Sequence, residues 1–137
     1  MRYLLDTNIL VYVLNARPGH EAVIERFDRE DPQDLAVSSI TLAELRYGIA
    51  RSRRREANRR ALRHVLEALN VVPFDARAAE RYGTVRADLE AAGKPIGPLD
   101  TLIAAHALSL DLTLVTSNTR EFSRVRRLRH EDWISAA

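Results

Sequence analysis

The 137-residue chain is predicted to fold as an α/β/α sandwich around a central, mostly parallel sheet of four to five strands. Three observations carry that prediction. Short apolar runs at Tyr3 to Leu5, Leu35 to Val37, Val71 to Val72 and Leu112 to Thr116 alternate with longer segments of helical periodicity. The runs are continuously apolar, as strands buried on both faces are. Acids and amides stand where those runs end or where helices open, and in open α/β sheets ligands bind at the carboxyl ends of the strands.

Each element has its own signal. The first run delivers Asp6, Thr7 and Asn8, and Ile9, Leu10, Val13 and Leu14 continue as a short amphipathic helix that Pro18-Gly19 ends. His20 to Arg29 is a second helix with Val23, Ile24 and Phe27 inward, closed by the turn signal Asp31-Pro32. The second strand leads through Ser38-Ser39 into a helix opening at Thr41 and carrying Leu45, Ile49 and Ala50. Arg51 to Arg63 holds seven arginines, with Leu62, Val65, Leu66 and Leu69 at helical spacing beneath them. Pro73 marks the end of the third strand or an edge position, and Asp75 caps a helix running from Ala76 to about Ala92. Gly93 to Pro98 is a stiff loop with two glycines and two prolines. The most apolar helix follows from Leu99 to Leu110, with Leu99, Leu102, Ile103, Ala107 and Leu110 inward. After the fourth strand come Ser117-Asn118-Thr119, a helical turn at Phe122 and Val125, and a last short strand or extended tail at Leu128 to Trp133.

Composition narrows the function classes. At this length the whole chain, residues 1–137, is expected to form one domain with one core. There is no cysteine, which removes disulfides and thiolate metal sites and suits a cytoplasmic location. Asp6 interrupts the only apolar run near the amino terminus, so no secretory signal is expected there. No apolar stretch approaches the roughly 18 residues of a membrane span. The net charge is +2, and Lys94 is the only lysine, so nearly all positive charge sits on arginine. Arginine forks match phosphate oxygens, although the same bias arises from genome composition.

Four positions converge on one edge of the predicted sheet: Asp6 after strand one, Glu44 after strand two, Asp100 opening the apolar helix, and Asn118 after strand four. Each has a plain structural explanation. Asp6 can cap the helix at Thr7, Thr41 with Glu44 and Asn118 with Glu121 fit capping boxes, and Asp100 suits the positive end of a helix that Pro98 opens. Capping alone does not explain why all four share one edge. Carboxylates gathered in a cleft need a cation, and hard oxygen donors without cysteine or paired histidines select magnesium, or manganese in its place. Such a site acidifies bound water and neutralises charge building on a phosphate. His106, on the same helix as Asp100, is expected to be packed or hydrogen-bonded instead of ligating, and Trp133 to pack near the carboxyl end. The outward arginines Arg51, Arg53, Arg54, Arg55 and Arg59 are candidates for the RNA backbone, with an acidic partner or a solvated helix face as the alternatives.

The segments LLDTNIL, SSITLAELRYGI, KPIGPLDTLIAAHAL and LVTSNTREFSRV resemble, in order and spacing, PIN-domain ribonucleases of the VapC type, the toxins of type II toxin–antitoxin pairs. The resemblance covers essentially the whole chain and is closest to the branch with the PIGPxD loop, whose known members cut initiator transfer RNA. It implies a PIN-like sandwich, with Asp6 and Asp100 as the main magnesium ligands and Glu44 completing the acidic set and orienting water. Thr116 and Asn118 match the stretch after strand four, and Asn8 is expected to support the geometry around Asp6. It further implies a homodimer, a VapB-type antitoxin that places an arginine against the acids, and hydrolysis of an RNA phosphodiester with a 3′-hydroxyl leaving. Two positions depart from the pattern. Asn118 stands where many PIN domains have aspartate, which bears on a second ion, and Asn118 is expected to bind water or orient Asp6. Arg126-Arg127 replace a common Pro-Gly turn.

Other readings fit less well. A haloacid-dehalogenase-like phosphatase wants a second aspartate where Asn8 stands, and a receiver domain wants paired acids and a lysine after the last strand. A catalytically silent PIN-fold RNA-binding or regulatory module remains the alternative, although such modules usually lose acids that are present here.

Overall fold

A computed structural model describes residues 1–134. Five strands, β1 (Tyr3–Leu5), β2 (Leu35–Ser38), β3 (Asn70–Val72), β4 (Thr113–Val115) and β5 (His130–Glu131), pair in the order β3-β2-β1-β4-β5. Every neighbouring pair is parallel, so the described sheet is wholly parallel and the tail at Leu128 to Trp133 does supply a strand. The helices are α1 (Thr7–Leu14), α2 (His20–Arg29), α3 (Ser39–Ala50), α4 (Arg55–Leu66), α5 (Ala76–Ala91), α6 (Pro98–Ser109) and the single turn α7 (Thr119–Phe122). Among the described residues no helix is long and apolar enough to cross a membrane.

The period of two along each strand sorts its side chains into two cores. Tyr3, Leu5, Leu35, Val37 and Val115 pack on one face with Ile9, Leu10, Val23, Leu45, Ile49 and Leu62 from α1 to α4. Leu4, Ala36 and Leu114 pack on the other with Val85 and Leu89 of α5, Ile103 of α6 and Phe122 of α7. Helices therefore cover both faces, which is why the strands need no polar alternation. Trp133 closes the first core, edge-on to Tyr3 at 5.1 Å between ring centres and beneath the Arg26 guanidinium at 4.7 Å. Two residues expected inward are instead substantially exposed, Ile24 at 39% and Leu99 at 43%. Leu99 stands in the first turn of α6, where the helix has only begun to meet the sheet.

The chain starts at the centre of the sheet, builds outward through β2 and β3, then returns to lay β4 on the other side of β1. The carboxyl ends of β1 and β4 are thus the point where strand order reverses, the place where such sheets open a crevice. One helix start differs from expectation. Thr41 does not cap α3; Ser38 does, its Oγ accepting from the Ile40 N–H at 3.0 Å. Ser38 ends β2 with extended backbone, the conformation a cap residue requires. Its hydroxyl also meets Nδ1 of the buried His106 at 2.8 Å, while the imidazole bonds the Pro73 carbonyl and stacks edge-on against Phe74. With Ser38 and the Pro73 carbonyl engaging its ring, His106 is a satisfied core histidine, and burial pushes it below its ordinary pKa.

Ser38→Ala should therefore cost about 1–3 kcal/mol in urea unfolding, from a lost cap and an orphaned buried imidazole nitrogen. Ser38→Thr should recover most of it. A loss below about 0.5 kcal/mol for the alanine variant would contradict this role.

Candidate active site

Asp6 lies one residue past β1 and is 2% exposed. Its N–H donates to the Val115 carbonyl at 2.9 Å, extending the β1–β4 ladder and carrying the side chain into the seam between the two strands. Both carboxylate oxygens are held. Oδ1 accepts from the Thr7 N–H and Oδ2 from the Thr116 hydroxyl, each at 2.8 Å. Thr116 in turn accepts from the Asn118 N–H at 2.9 Å, which turns its hydrogen toward Asp6. Asp6 is thus also the cap of α1, so capping and site geometry coexist in one side chain. These hydrogen bonds pull its pKa down, but burial outweighs them and Glu44 adds repulsion; the net result is a carboxyl raised to about 6.

Glu44 projects from the second turn of α3 toward the same edge. Its Oε1 accepts from the Thr7 hydroxyl at 2.8 Å, and that oxygen of Thr7 stands 3.1 Å from the buried Thr41 hydroxyl. Thr41 and Glu44 therefore do not form the expected capping box. Both are tied to Thr7 across the crevice.

Asp100 sits in the first turn of α6, which the Gly97 backbone and Pro98 open. Its side chain hydrogen-bonds Glu121 of α7. Burial, this bond, and repulsion from Asp6, Glu121 and Glu44 raise its pKa to about 7. Glu121 was singled out by sequence only as a capping partner, yet it belongs to this acidic set. The signal available was its spacing from Asn118: Asn118 leaves the backbone of α7 uncapped and donates from Nδ2 to Glu121 Oε2 at 3.0 Å. Asn118 touches Asp6 only through Thr116, so its side chain positions Glu121 and not Asp6 as expected. Asn8 also departs from expectation: it is exposed and makes no hydrogen bond to Asp6, a task that falls to Thr7 and Thr116.

Four carboxylates from four elements thus share one crevice, and their mutual repulsion is what a bound cation relieves. The donors are all hard oxygens, which suits magnesium or manganese. Among the described residues no three acidic or histidine side chains converge closely enough to enclose an ion. Magnesium needs no such cage, because it keeps several waters and takes one or two carboxylates together with a substrate phosphate. The candidate arginines Arg51, Arg53, Arg54, Arg55 and Arg59 are all exposed around the α3–α4 connection. Arg51 meets the Tyr47 hydroxyl at 3.4 Å and Arg59 pairs with Glu56, whereas Arg53, Arg54 and Arg55 make no ion pair among the described residues.

A parallel sheet of this order, with acids gathered where β1 and β4 end, is the PIN-domain architecture, and the PIN domain family model matches residues 3–128. A tRNA(fMet)-specific endonuclease VapC of Shigella flexneri is 41% identical over 133 residues, covering 97% of this chain and 98% of that protein. Ribonuclease VapC2 of Rickettsia felis is likewise 41% identical, over 97% of this chain and 98% of the relative. Among solved structures, DNA-bound VapBC from Salmonella typhimurium superposes with a TM-score of 0.91 at 39% identity, covering 97% and 98% of the two chains. VapBC2 from Rickettsia felis on a promoter DNA fragment gives 0.87 at 40% identity, over 97% and 99%. The chain belongs to the VapC family of PIN-domain proteins.

The raised Asp6 carboxyl makes a stability prediction. Between the ordinary value of 3.8 and about 6 the folded state holds a proton that the unfolded chain has released. That stabilisation is therefore present at the low end and lost as pH rises through 6. In metal-free protein, the melting-temperature advantage of Asp6→Asn over wild type should widen by several degrees between about pH 4 and about pH 7.5. Added magnesium at about pH 7.5 should raise the melting point of wild type and not of the variant. A gap independent of pH would contradict the burial effect.

Proposed function

We propose that the chain is a magnesium-dependent endoribonuclease toxin that hydrolyses a phosphodiester of transfer RNA and is silenced by a VapB-type antitoxin. The observation that carries this proposal is the crevice in which burial and Glu44 raise the proton affinity of Asp6, and burial, Glu121, Asp6 and Glu44 raise that of Asp100. The relatives add support. The Shigella flexneri protein is named for cleavage of tRNA(fMet), which makes initiator transfer RNA the first substrate to test. The Salmonella and Rickettsia structures are VapBC assemblies, which supports an antitoxin partner. The proposed protein acts in the cytoplasm as a homodimer.

Asp6 and Asp100 would hold the ion, with Glu44 beside them; when bound, it neutralises charge building on the phosphate and acidifies water for attack in line with the departing 3′ oxygen. The chain's own residues do the positioning. Thr7 and Thr116 fix both oxygens of Asp6, so no side-chain rotation is needed as the reaction proceeds. The Thr7 hydroxyl occupies Oε1 of Glu44, leaving Oε2 to orient water. Asp100, raised to about 7 by burial and by its bond to Glu121, can hold or release a proton at working pH. Arg53, Arg54 and Arg55 offer phosphate contacts on the α3–α4 side. The acids argue against a silent binding module, which has no use for four repelling carboxylates.

Cleavage of transfer RNA with and without magnesium tests the proposal. Asp6→Ala and Asp100→Asn should each lower kcat at least about 100-fold, ~3 kcal/mol of barrier, with circular dichroism unchanged. Chelation should abolish cleavage by wild type. Equal cutting by all three proteins would sink the site assignment, and RNA binding without cutting by any of them would favour the silent module. A finer expectation concerns Glu121. Because Glu121 raises the Asp100 pKa, Glu121→Gln should shift the acid limb of the pH–rate profile to lower pH. An unmoved limb would mean the pair does not act in catalysis.

A further inference from the structure

The acidic crevice repels the polyanion that the proposed function needs it to receive, so affinity for RNA has to come from cations outside it. One such surface was not visible as a run in the sequence. A cavity of about 620 Å³ lies between α5 and the segment after α7, lined by Arg81, Lys94, Arg124, Arg126 and Arg127 against one carboxylate, Asp88. A second cavity, of about 420 Å³, shares Lys94 and Arg124 with the first and adds Arg120. The two form one trough.

Its inner end abuts the crevice through both of its walls. Arg120 precedes Glu121 on α7, so the same helical turn faces an acid inward and an arginine outward. The opposite wall is the loop at Gly93 to Pro95, which leads directly into the α6 turn that carries Asp100. Arg124 clasps that loop by donating to the Pro95 carbonyl at 3.0 Å, so the two walls are joined. The remaining cations are uncommitted: among the described residues Arg81, Lys94, Arg120, Arg126 and Arg127 make no ion pair or side-chain hydrogen bond. Arg127 also adopts a φ of 68°, a region that a non-glycine residue enters only when its surroundings hold it there.

We propose that this trough, from Arg120 beside the acidic crevice outward to Arg126 and Arg127, holds the RNA backbone on one side of the phosphodiester to be cut. It rests on the ribonuclease reading and adds to it a second flank, across the crevice from Arg53 to Arg55. A strand crossing Asp100 and Glu121 has to leave the crevice past Arg120, and the trough is where that path is both concave and cationic. An acidic protein segment would meet the same charges but has no need to run through the crevice.

The test uses wild type, the triple variant Arg81→Gln/Arg126→Gln/Arg127→Gln, and a charge-matched control, Arg2→Gln/Arg17→Gln/Arg29→Gln, whose residues lie just before β1, in the α1–α2 connection and at the end of α2. Binding of fluorescently labelled transfer RNA is measured in EDTA across a salt series, and cleavage is measured with magnesium. The trough variant should bind at least about tenfold more weakly at low salt. Its slope of log Kd on log salt should fall by about 2, the value for three lost phosphate contacts on single-stranded RNA. KM should rise with kcat unchanged, while the control stays near wild type. If wild type cuts and the trough variant matches it in slope and KM, the trough proposal is overturned and the ribonuclease reading stands. An equal loss in the control reduces the effect to net charge and also overturns it. If wild type neither binds nor cuts transfer RNA, both fail together. A trough variant that keeps its RNA affinity but loses binding to polyglutamate would assign the surface to an acidic protein instead.

Discussion

The site depends on how Asp6 is held at the seam of β1 and β4. Two parallel strands end side by side, and the residue after each, Asp6 and Thr116, meets the other at 2.8 Å. A carboxylate 2% exposed pays heavily in lost hydration, and two hydrogen bonds do not restore it, since Asp6 still sits at about 6. Desolvation wins over hydrogen bonding here because the seam is walled by the apolar strands themselves. The same seam is where strand order reverses, so the least hydrated acid of the set lies at the spot the topology opens to a ligand.

The other acids are arranged around that fixed point by hydroxyls and an amide. Thr7 serves three neighbours, its N–H going to Asp6 and its hydroxyl lying between Glu44 and Thr41. Asn118 uses its backbone to set Thr116 and its side chain to set Glu121. Asp100 is half-buried with the Glu121 carboxyl for a partner, and burial, that bond and repulsion from Asp6 raise its pKa to about 7. The result is a negative centre in a protein whose net charge is +2, with the compensating arginines on its flanks. In the proposed function the acidic centre would take the cation and the bordering guanidinium groups the polyanion, which divides binding from chemistry in space.

Much of this was legible in the chain. The strands announced themselves as unbroken apolar runs, and the acids at their ends stood out because capping accounts for each singly but not for their common edge. What was not legible depended on distance in sequence. Thr41 and Glu44 fit a capping box on paper, but Ser38, already extended at the end of β2, took the cap and left both free to reach Thr7. The family pattern makes Asn8 a support for Asp6, yet on α1 it is turned to solvent. Glu121 could not be joined to Asp100 without the fold, which brings α6 and α7 together. The arginines at 51 to 63 were conspicuous as a run, whereas those of the trough come from α5, the turn of α7 and the segment beyond it, and gather only when α5 packs beside that segment.

The central claim is that burial and mutual repulsion lift Asp6 and Asp100 out of the ordinary carboxylate range until a cation relieves them. Carbon-13 NMR of the side-chain carboxyls, followed against pH in metal-free protein and again with saturating magnesium, measures this directly. Two carboxyls should titrate at about 6 and about 7 without metal and drop by a unit or more when magnesium is added. Titration of both near the ordinary 3.8, unmoved by the ion, would contradict it.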